Sequence, residues 1–351
     1  MIWAFPKTMS LLTILEAKSM KLSFFVLLGL MLIMSGCQQK SQFTHLEGQA
    51  QGTTFRIVYD GEQDFSKSID SLFRVIDHSM SLWDSTSIIS RFNKNQTETK
   101  ADTHFEIVFQ KSYEVSEATA GAFDITVGPL VKTWGFSYKK GLPFPTQNQV
   151  DSLRKLIGYR KVQLKNGVLV KENPMTEIDF NAIAQGYTVD VMANLLKANG
   201  INDYLVEIGG EVRTAGHNEK GEAWQVGIDK PTEKEGENRP LQAIVSLSGK
   251  ALATSGSYRK FVMREGKKYS HAIDPNTGYP ITHNLFSVSV IADDCITADA
   301  FATAFLVVGL EKAKHIAQQQ HLEWYGIYTA ADGTLSTYIT TGFFKTSTQT
   351  D

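Results

Sequence analysis

The order in which helical and strand patterns follow one another constrains this chain most. The stretch "GTTFRIVYDG" at 52–61 alternates apolar Phe55, Ile57 and Tyr59, so it reads as a strand. Residues 66–80 then place Ile69, Leu72, Phe73, Ile76 and Met80 at helical spacing. Two more helices are expected near 103–119 and 147–157. Short strands follow over 159–179, with Asn166-Gly167 as a hairpin turn. A helix over 181–199 ends at Asn199-Gly200. "YLVEIGGEVRTAG" reads as a strand, a glycine pair and another strand. Residues 218–240 are polar and rich in Glu, Lys and Pro, which predicts a surface excursion. Further strands are expected over 241–248, 257–264 and 285–292, then helices over 297–308 and 310–320, then a hairpin turning at Asp332-Gly333. Nowhere do these elements repeat as regular βαβ units. The fold class is therefore α+β, with mixed or antiparallel sheets and packed helices, rather than a doubly wound parallel sheet.

A chain of 351 residues, 42% of them hydrophobic, has ample core for one large or two moderate domains. The net charge of −2, with no basic stripe or zinc-finger spacing, argues against nucleic acid as a partner. The N-terminus carries an address. From Met20 the chain runs "MKLSFFVLLGLMLIMSGC": one lysine, an apolar run, then Ser35-Gly36-Cys37. That is the shape of a bacterial secretory signal, 20–36, and the run is short for a membrane span. Small residues directly before Cys37 resemble a lipobox, with Cys37 lipidated; Met34 stands where Leu is usual. Residues 37–44 then read as a tether, which places the protein in the bacterial cell envelope, lipid-anchored and facing the periplasm. Residues 1–19, with Pro6 and Glu16, fit no part of such a signal and read as an upstream extension; the alternative is a cytoplasmic extension on an uncleaved anchor. Cys295, the other cysteine, opens an apolar helical run and reads as a small buried hydrophobe.

Several stretches could carry chemistry. In "TADAFATAFLVVG" (297–309), Asp299 and Thr303 are four apart and share one helix face. A carboxylate and a hydroxyl so placed suit a hard cation such as Mg²⁺; alternatively Asp299 caps the helix and Thr303 bonds back to a carbonyl. "YSHAIDPNTGYP" (269–280) sets His271 before a Pro-Asn-Thr-Gly turn, as a general base or as a histidine that merely satisfies a carbonyl. "ATSGSYRKF" (253–261) offers hydroxyls and backbone N–H groups to phosphate, or is a polar turn between strands. "GAFDITVGPLVKTWGF" (121–136) is a long apolar loop of the kind that is more often functional than idle. "DFNAIAQGYTVD" (179–190) mixes acids, Asn181, Gln185 and Gly186 into a helix start. No dinucleotide or P-loop glycine fingerprint is present.

With "SIISRFN" and "EIGGEV", these stretches come in an order that resembles the flavin transferases of the ApbE family. The resemblance covers about 45–345, with "DPNTG" and "ADAFAT" its most specific pieces and 346–351 left as a tail. It implies an ApbE-like, T-fold-like architecture. The implied activity passes FMN from FAD, in a Mg²⁺-dependent step, to a Thr or Ser hydroxyl of a target protein, with AMP leaving. The implied target is a flavin-carrying subunit of a redox-driven ion pump or an extracytoplasmic electron carrier. Some relatives instead hydrolyse FAD to FMN and AMP, and a non-catalytic flavin-binding lipoprotein is a third possibility. By the resemblance, Asp299, Thr303 and the carbonyl of Ala182 hold the metal. Asp179, Ala122, Phe123 and Asp124 hold FAD, Ala272 and Ile273 lie by the flavin, and His271 is the general base. Phe123 and Trp134 are expected to wall the isoalloxazine. Three nucleotide-binding positions depart from the family pattern: Gln185 replaces a frequent Lys, Trp83 a frequent Tyr, and Gln51 a frequent Met.

Overall fold

The computed structural model describes residues 42–96, 99–136, 143–231, 240–258, 261–264 and 266–344. The signal, Cys37 and the tail 346–351 lie outside the described residues.

An eight-stranded sheet forms the frame, and every strand pairing in it is antiparallel. Its order is β1 (Phe43–Ala50), β2 (Thr53–Asp60), β5 (Tyr204–Ile208), β6 (Glu211–Ala215), β9 (Ala251–Gly256), β14 (Leu285–Ala292), β15 (Glu323–Thr329), β16 (Leu335–Ile339). Gln51 and Gly52 turn the first hairpin with φ of 53° and 75°, the left-handed pair that matches strand twist. β1 begins at Phe43, so the end of the segment read as a tether is already strand.

Alternation along the strands separates two faces. Tyr204, Val206 and Ile208, with Ile57 and Tyr59, face α1 (Ser66–Met80) and α6 (Ala184–Ala198), and pack on Ile69, Phe73, Val189 and Met192. Val288, Val290 and Trp324 face α7 (Cys295–Val308), packing with Phe301 and Phe305 and, beyond them, Phe105 and Val108 of α3 (Thr103–Ala118). The opposite face, Val212, Leu252, Ile291, Tyr325 and Ile327, is covered by a hairpin of β7 (Trp224–Asp229) and β8 (Leu241–Leu247). α7 is apolar nearly all round and accordingly sits in the middle of the molecule, with Ala298, Ala300, Ala302 and Ala304 fully buried. α8 (Leu310–Gln320) follows it.

A smaller cluster lies apart. It joins Leu130 and Trp134 from α4 (Gly128–Thr133) and its end, Val150 from α5 (Gln147–Arg154), and Ile273 of β12 (Ile273–Asp274). β12 pairs with β13 (Tyr279–Pro280), and β10 (Phe261–Arg264) pairs with β11 (Lys267–Ser270). β3 (Val162–Lys165) and β4 (Val168–Lys171) form the expected hairpin, with Asn166 and Gly167 at φ of 52° and 75°.

Five expectations need correction. Within 218–240, Trp224, Val226 and Ile228 are buried on β7; polar flanks hid a period of two. Thr254 and Ser255 lie on strand β9, not in a turn, and the strand expected over 257–264 is β10 alone. The 121–136 loop contains a short helix, α4, which starts through Pro129 in its first turn, and "SIISRFN" forms α2 (Ile88–Asn93), capped by the Ser87 hydroxyl accepting from Ser90 N–H. The helix expected from 181 begins at Ala184 with no side-chain cap from its own segment.

Candidate active site

α6 and α7 meet through an exchange of acids. Asp299 Oδ2 on α7 accepts from Gly186 N–H at 3.0 Å, in the first turn of α6. In a regular helix that N–H would turn to Ala182, so the Ala182 carbonyl is left without this bond. In return, Asp190 on α6 accepts from Cys295 and Ile296 N–H, both at 2.9 Å, in the first turn of α7. Asp294 caps α7 as well, accepting from Thr297 N–H at 3.0 Å. Asp299 is therefore not the cap of its own helix. The crossing is close because position 186 has no side chain: a Cβ there would lie 2.4 Å from the Cys295 carbonyl oxygen and 2.7 Å from Asp299 Cβ.

Electrostatics at this junction favour a cation. Burial pushes the Asp299 carboxyl up to about 7, against the pull of the Gly186 N–H and with the help of Asp190. Burial also raises Asp190, although Arg213 Nη1 donates to it at 2.7 Å. Around the Cys295 thiol, itself pushed well up by burial, three carboxylates (Asp190, Glu211, Asp299) act against one guanidinium (Arg213). Thr303, one turn after Asp299, exchanges a hydrogen bond with Ser255 of β9 at 3.0 Å. Asp299 and Thr303 offer a carboxylate and a hydroxyl from successive turns of α7, and the Ala182 carbonyl belongs to the segment that leads into the Gly186 turn; hard oxygen donors of this kind fit Mg²⁺, which takes one or two carboxylates and keeps waters elsewhere. Among the described residues no group of three or more His, Cys, Asp and Glu could hold a metal, so a site here relies on the carbonyl and hydroxyl as well.

The 121–136 segment forms a second wall. Ile125 carbonyl accepts from Asp179 N–H at 2.7 Å, and a Cβ on Gly128 would stand 3.3 Å from Asp179 Cβ. Asp179 Oδ1 accepts from Asn181 N–H at 2.8 Å. Burial raises this carboxyl, while the Asn181 N–H and the Lys132 charge pull it down. Asp124 is buried and both its oxygens are engaged: Oδ1 by the Thr126 N–H and hydroxyl, Oδ2 by Tyr159 N–H at 2.8 Å. It shapes the loop. Ala122 and Phe123 are likewise buried, Phe123 in the main core.

Trp134 is 4% exposed, and its Nε1 donates to Gly278 carbonyl at 2.8 Å, tying this wall to the "DPNTG" turn. Phe144, Tyr269 and Tyr279 ring it at centroid distances of 5.2, 6.0 and 5.4 Å. Phe123 and Trp134 are thus packed among protein side chains. We expect Trp134→Phe to leave the Gly278 carbonyl unpaired and to cost about 1–3 kcal/mol, read as a lower midpoint in urea unfolding.

His271 lies between β11 and β12, its ring edge-on to Phe136 at 6.3 Å. α7 also packs on β12, which starts two residues later. Ala272 and Ile273 are buried, and Ile281 N–H donates to the Ala272 carbonyl at 3.0 Å. Gln51 and Trp83 gather at the C-terminal end of α1: Gln51 Nε2 donates to Asp77 at 3.4 Å, and Trp83, 74% exposed, donates its N–H to Ser81 Oγ at 3.3 Å. Gln185 reaches the β5–β6 turn, where a Cβ on Gly209 would meet Gln185 Nε2 and Thr53 Cγ2, each at 3.1 Å. The structure thus joins Asp299 to the α6 start, Thr303 to β9, and Asp179 to the 121–136 segment. Gln51 lies two residues before Thr53, which meets Gln185 at the β5–β6 turn.

Asp190 was not singled out from sequence. The signal was present: it lies four residues after Gly186 and three after Tyr187, so on a helix it shares their buried face and must find partners.

The sequence matches the ApbE family over residues 51–325, and the chain belongs to that family. It is 36% identical over 340 residues to the FAD:protein FMN transferase of Escherichia coli K12, covering 89% of this chain and 95% of that one. The Vibrio cholerae protein of the same name is 34% identical over 321 residues, covering 89% and 95%. Among solved structures, the flavin transferase ApbE from Vibrio cholerae superposes with a TM-score of 0.77 at 34% identity, covering 86% of this chain and 98% of that one. The apo flavinyl transferase ApbE of Pseudomonas stutzeri gives 0.78 at 29%, covering 88% and 97%.

Proposed function

We propose that this protein is an FAD:protein FMN transferase. An acceptor Thr or Ser hydroxyl on a target protein attacks the FMN-side phosphorus of FAD. A phosphoester forms, the bridging P–O bond of the pyrophosphate breaks, and AMP leaves with that oxygen. The observation that carries this reading is the buried Asp299 at the α6–α7 crossing, with Thr303 one turn on and the Ala182 carbonyl freed, in a chain of the ApbE family. When bound there, Mg²⁺ would neutralise pyrophosphate charge as the bond breaks. Asp299, Thr303 and Ala182 would hold it. His271 would take the proton of the acceptor hydroxyl.

Incubation with FAD, Mg²⁺ and a Thr-containing acceptor tests this by mass spectrometry. FMN on the acceptor Thr is expected, and EDTA should prevent it. Free FMN beside bare acceptor would indicate a pyrophosphatase instead. His271→Ala should keep FAD binding and lose transfer by at least ~10²-fold; full activity would remove it from the mechanism.

The target fits a flavin-carrying subunit of a redox-driven ion pump or an extracytoplasmic electron carrier. The remaining proposals are the lipid anchor on Cys37, the signal at 20–36, the start at Met20, the periplasmic location and the domain bounds 45–345. Palmitate labelling of wild type and Cys37→Ser checks the anchor.

A further inference from the structure

If the site takes a pyrophosphate, it needs a cation from the protein as well as from any metal, and Gln185 supplies none. Arg213 is committed to Asp190, with its side chain 19% exposed. The second wall offers a lysine. Gly128 stands against Asp179, and Lys132 is four residues further along α4, hence on the same helix face one turn away. There it pairs with Glu177. Glu177 and Asp179 are two apart, and the charges of Lys132 and Glu177 both act on the Asp179 carboxyl. Lys132 keeps 42% of its side chain exposed and Glu177 34%, so the pair orients the ammonium without sealing it.

We infer that Lys132 is the cation that receives the pyrophosphate in this chain, supplying from α4 the positive charge that neutral Gln185 does not supply from α6. This rests on the FAD reading above. Glu177 parks the side chain at the Asp179 wall when no dinucleotide is present. Phosphate oxygens then compete for the ammonium, and because the exchange is partly exposed it weakens with salt.

FAD and riboflavin titrations of the metal-free protein, followed by flavin fluorescence, test this. Lys132→Gln should weaken FAD binding by about tenfold, the loss of one modest charged contact, and leave riboflavin, which has no phosphate, unchanged. Lys132→Arg should retain FAD. The double variant Lys132→Gln with Gln185→Lys should recover most of the affinity, a result that a merely structural ion pair does not give. Glu177→Gln should bind FAD as well as wild type or better. Wild-type FAD affinity in Lys132→Gln, an equal loss for riboflavin, or no recovery with Gln185→Lys overturns the inference while the FAD reading stands. Failure of the wild type to bind FAD overturns both.

Discussion

Asp299→Asn is expected to abolish Mg²⁺-dependent FAD turnover and, at the same time, to raise the melting temperature of the metal-free protein at pH 8. The amide can still accept from Gly186 N–H, so the helix crossing survives. What disappears is a buried charge. The carboxyl sits near 7 in the fold, above the 3.8 of the ordinary group. Its folded form therefore holds the proton more tightly than the unfolded chain. That stabilisation is full below about pH 4 and is lost as pH rises through about 7. Melts of both proteins without divalent ions, from pH 5 to 8, should diverge across this window and run parallel above it. Mg²⁺ should raise the wild-type melting temperature at pH 8 and leave the variant unmoved. Identical pH profiles would show that Asp299 is not the group whose charge is strained, and unchanged turnover would refute it as a metal ligand.

Gly186→Ala is the second large expected effect. A methyl group at 186 would sit 2.4 Å from the Cys295 carbonyl, backbone that cannot swing aside. The helices must part, at about 1–3 kcal/mol for overpacking. In a domain of this size that is several degrees in melting temperature. Parting also carries Asp299 away from the Gly186 N–H at the α6 start, so turnover should fall more steeply than stability. Calorimetry with single-turnover FAD cleavage on the same sample checks both; a variant that melts and turns over like wild type would mean the crossing is looser than described.

Much of the fold could be read from pattern alone. The 285–292 strand and the 310–320 helix fall where the sequence puts them: β14 is an apolar run buried on both faces, and α8 turns Ala313 and Ala317 to the core. β7 escaped because its three inward residues are diluted by polar neighbours and followed by a Glu- and Lys-rich sequence. α4 escaped because glycine and proline at its start are breakers in general but acceptable in a first turn. Within the site, the spacing of Asp299 and Thr303 gave the face but not the partner. That Asp299 completes another helix's first turn depends on a contact 113 residues away in sequence. Likewise, "GAFDITVGPLVKTWGF" shows aromatics without telling that Trp134 spends its indole on Gly278.

The paired acids at the α6–α7 crossing have a kinetic consequence. Each bridges segments more than a hundred residues apart, with separations of 113, 105 and 106. The Gly186, Cys295 and Ile296 N–H groups take their acceptors from the other helix, so these three bonds close only when the two helices meet. A growing or truncated chain that stops before residue 295 has the α6 start and the Asp179 wall but no acid opposite them. Assembly of the proposed metal site is then expected to depend on long-range closure rather than on local structure. Divalent-ion affinity measured during refolding should appear with the final cooperative step and not with the first helical signal.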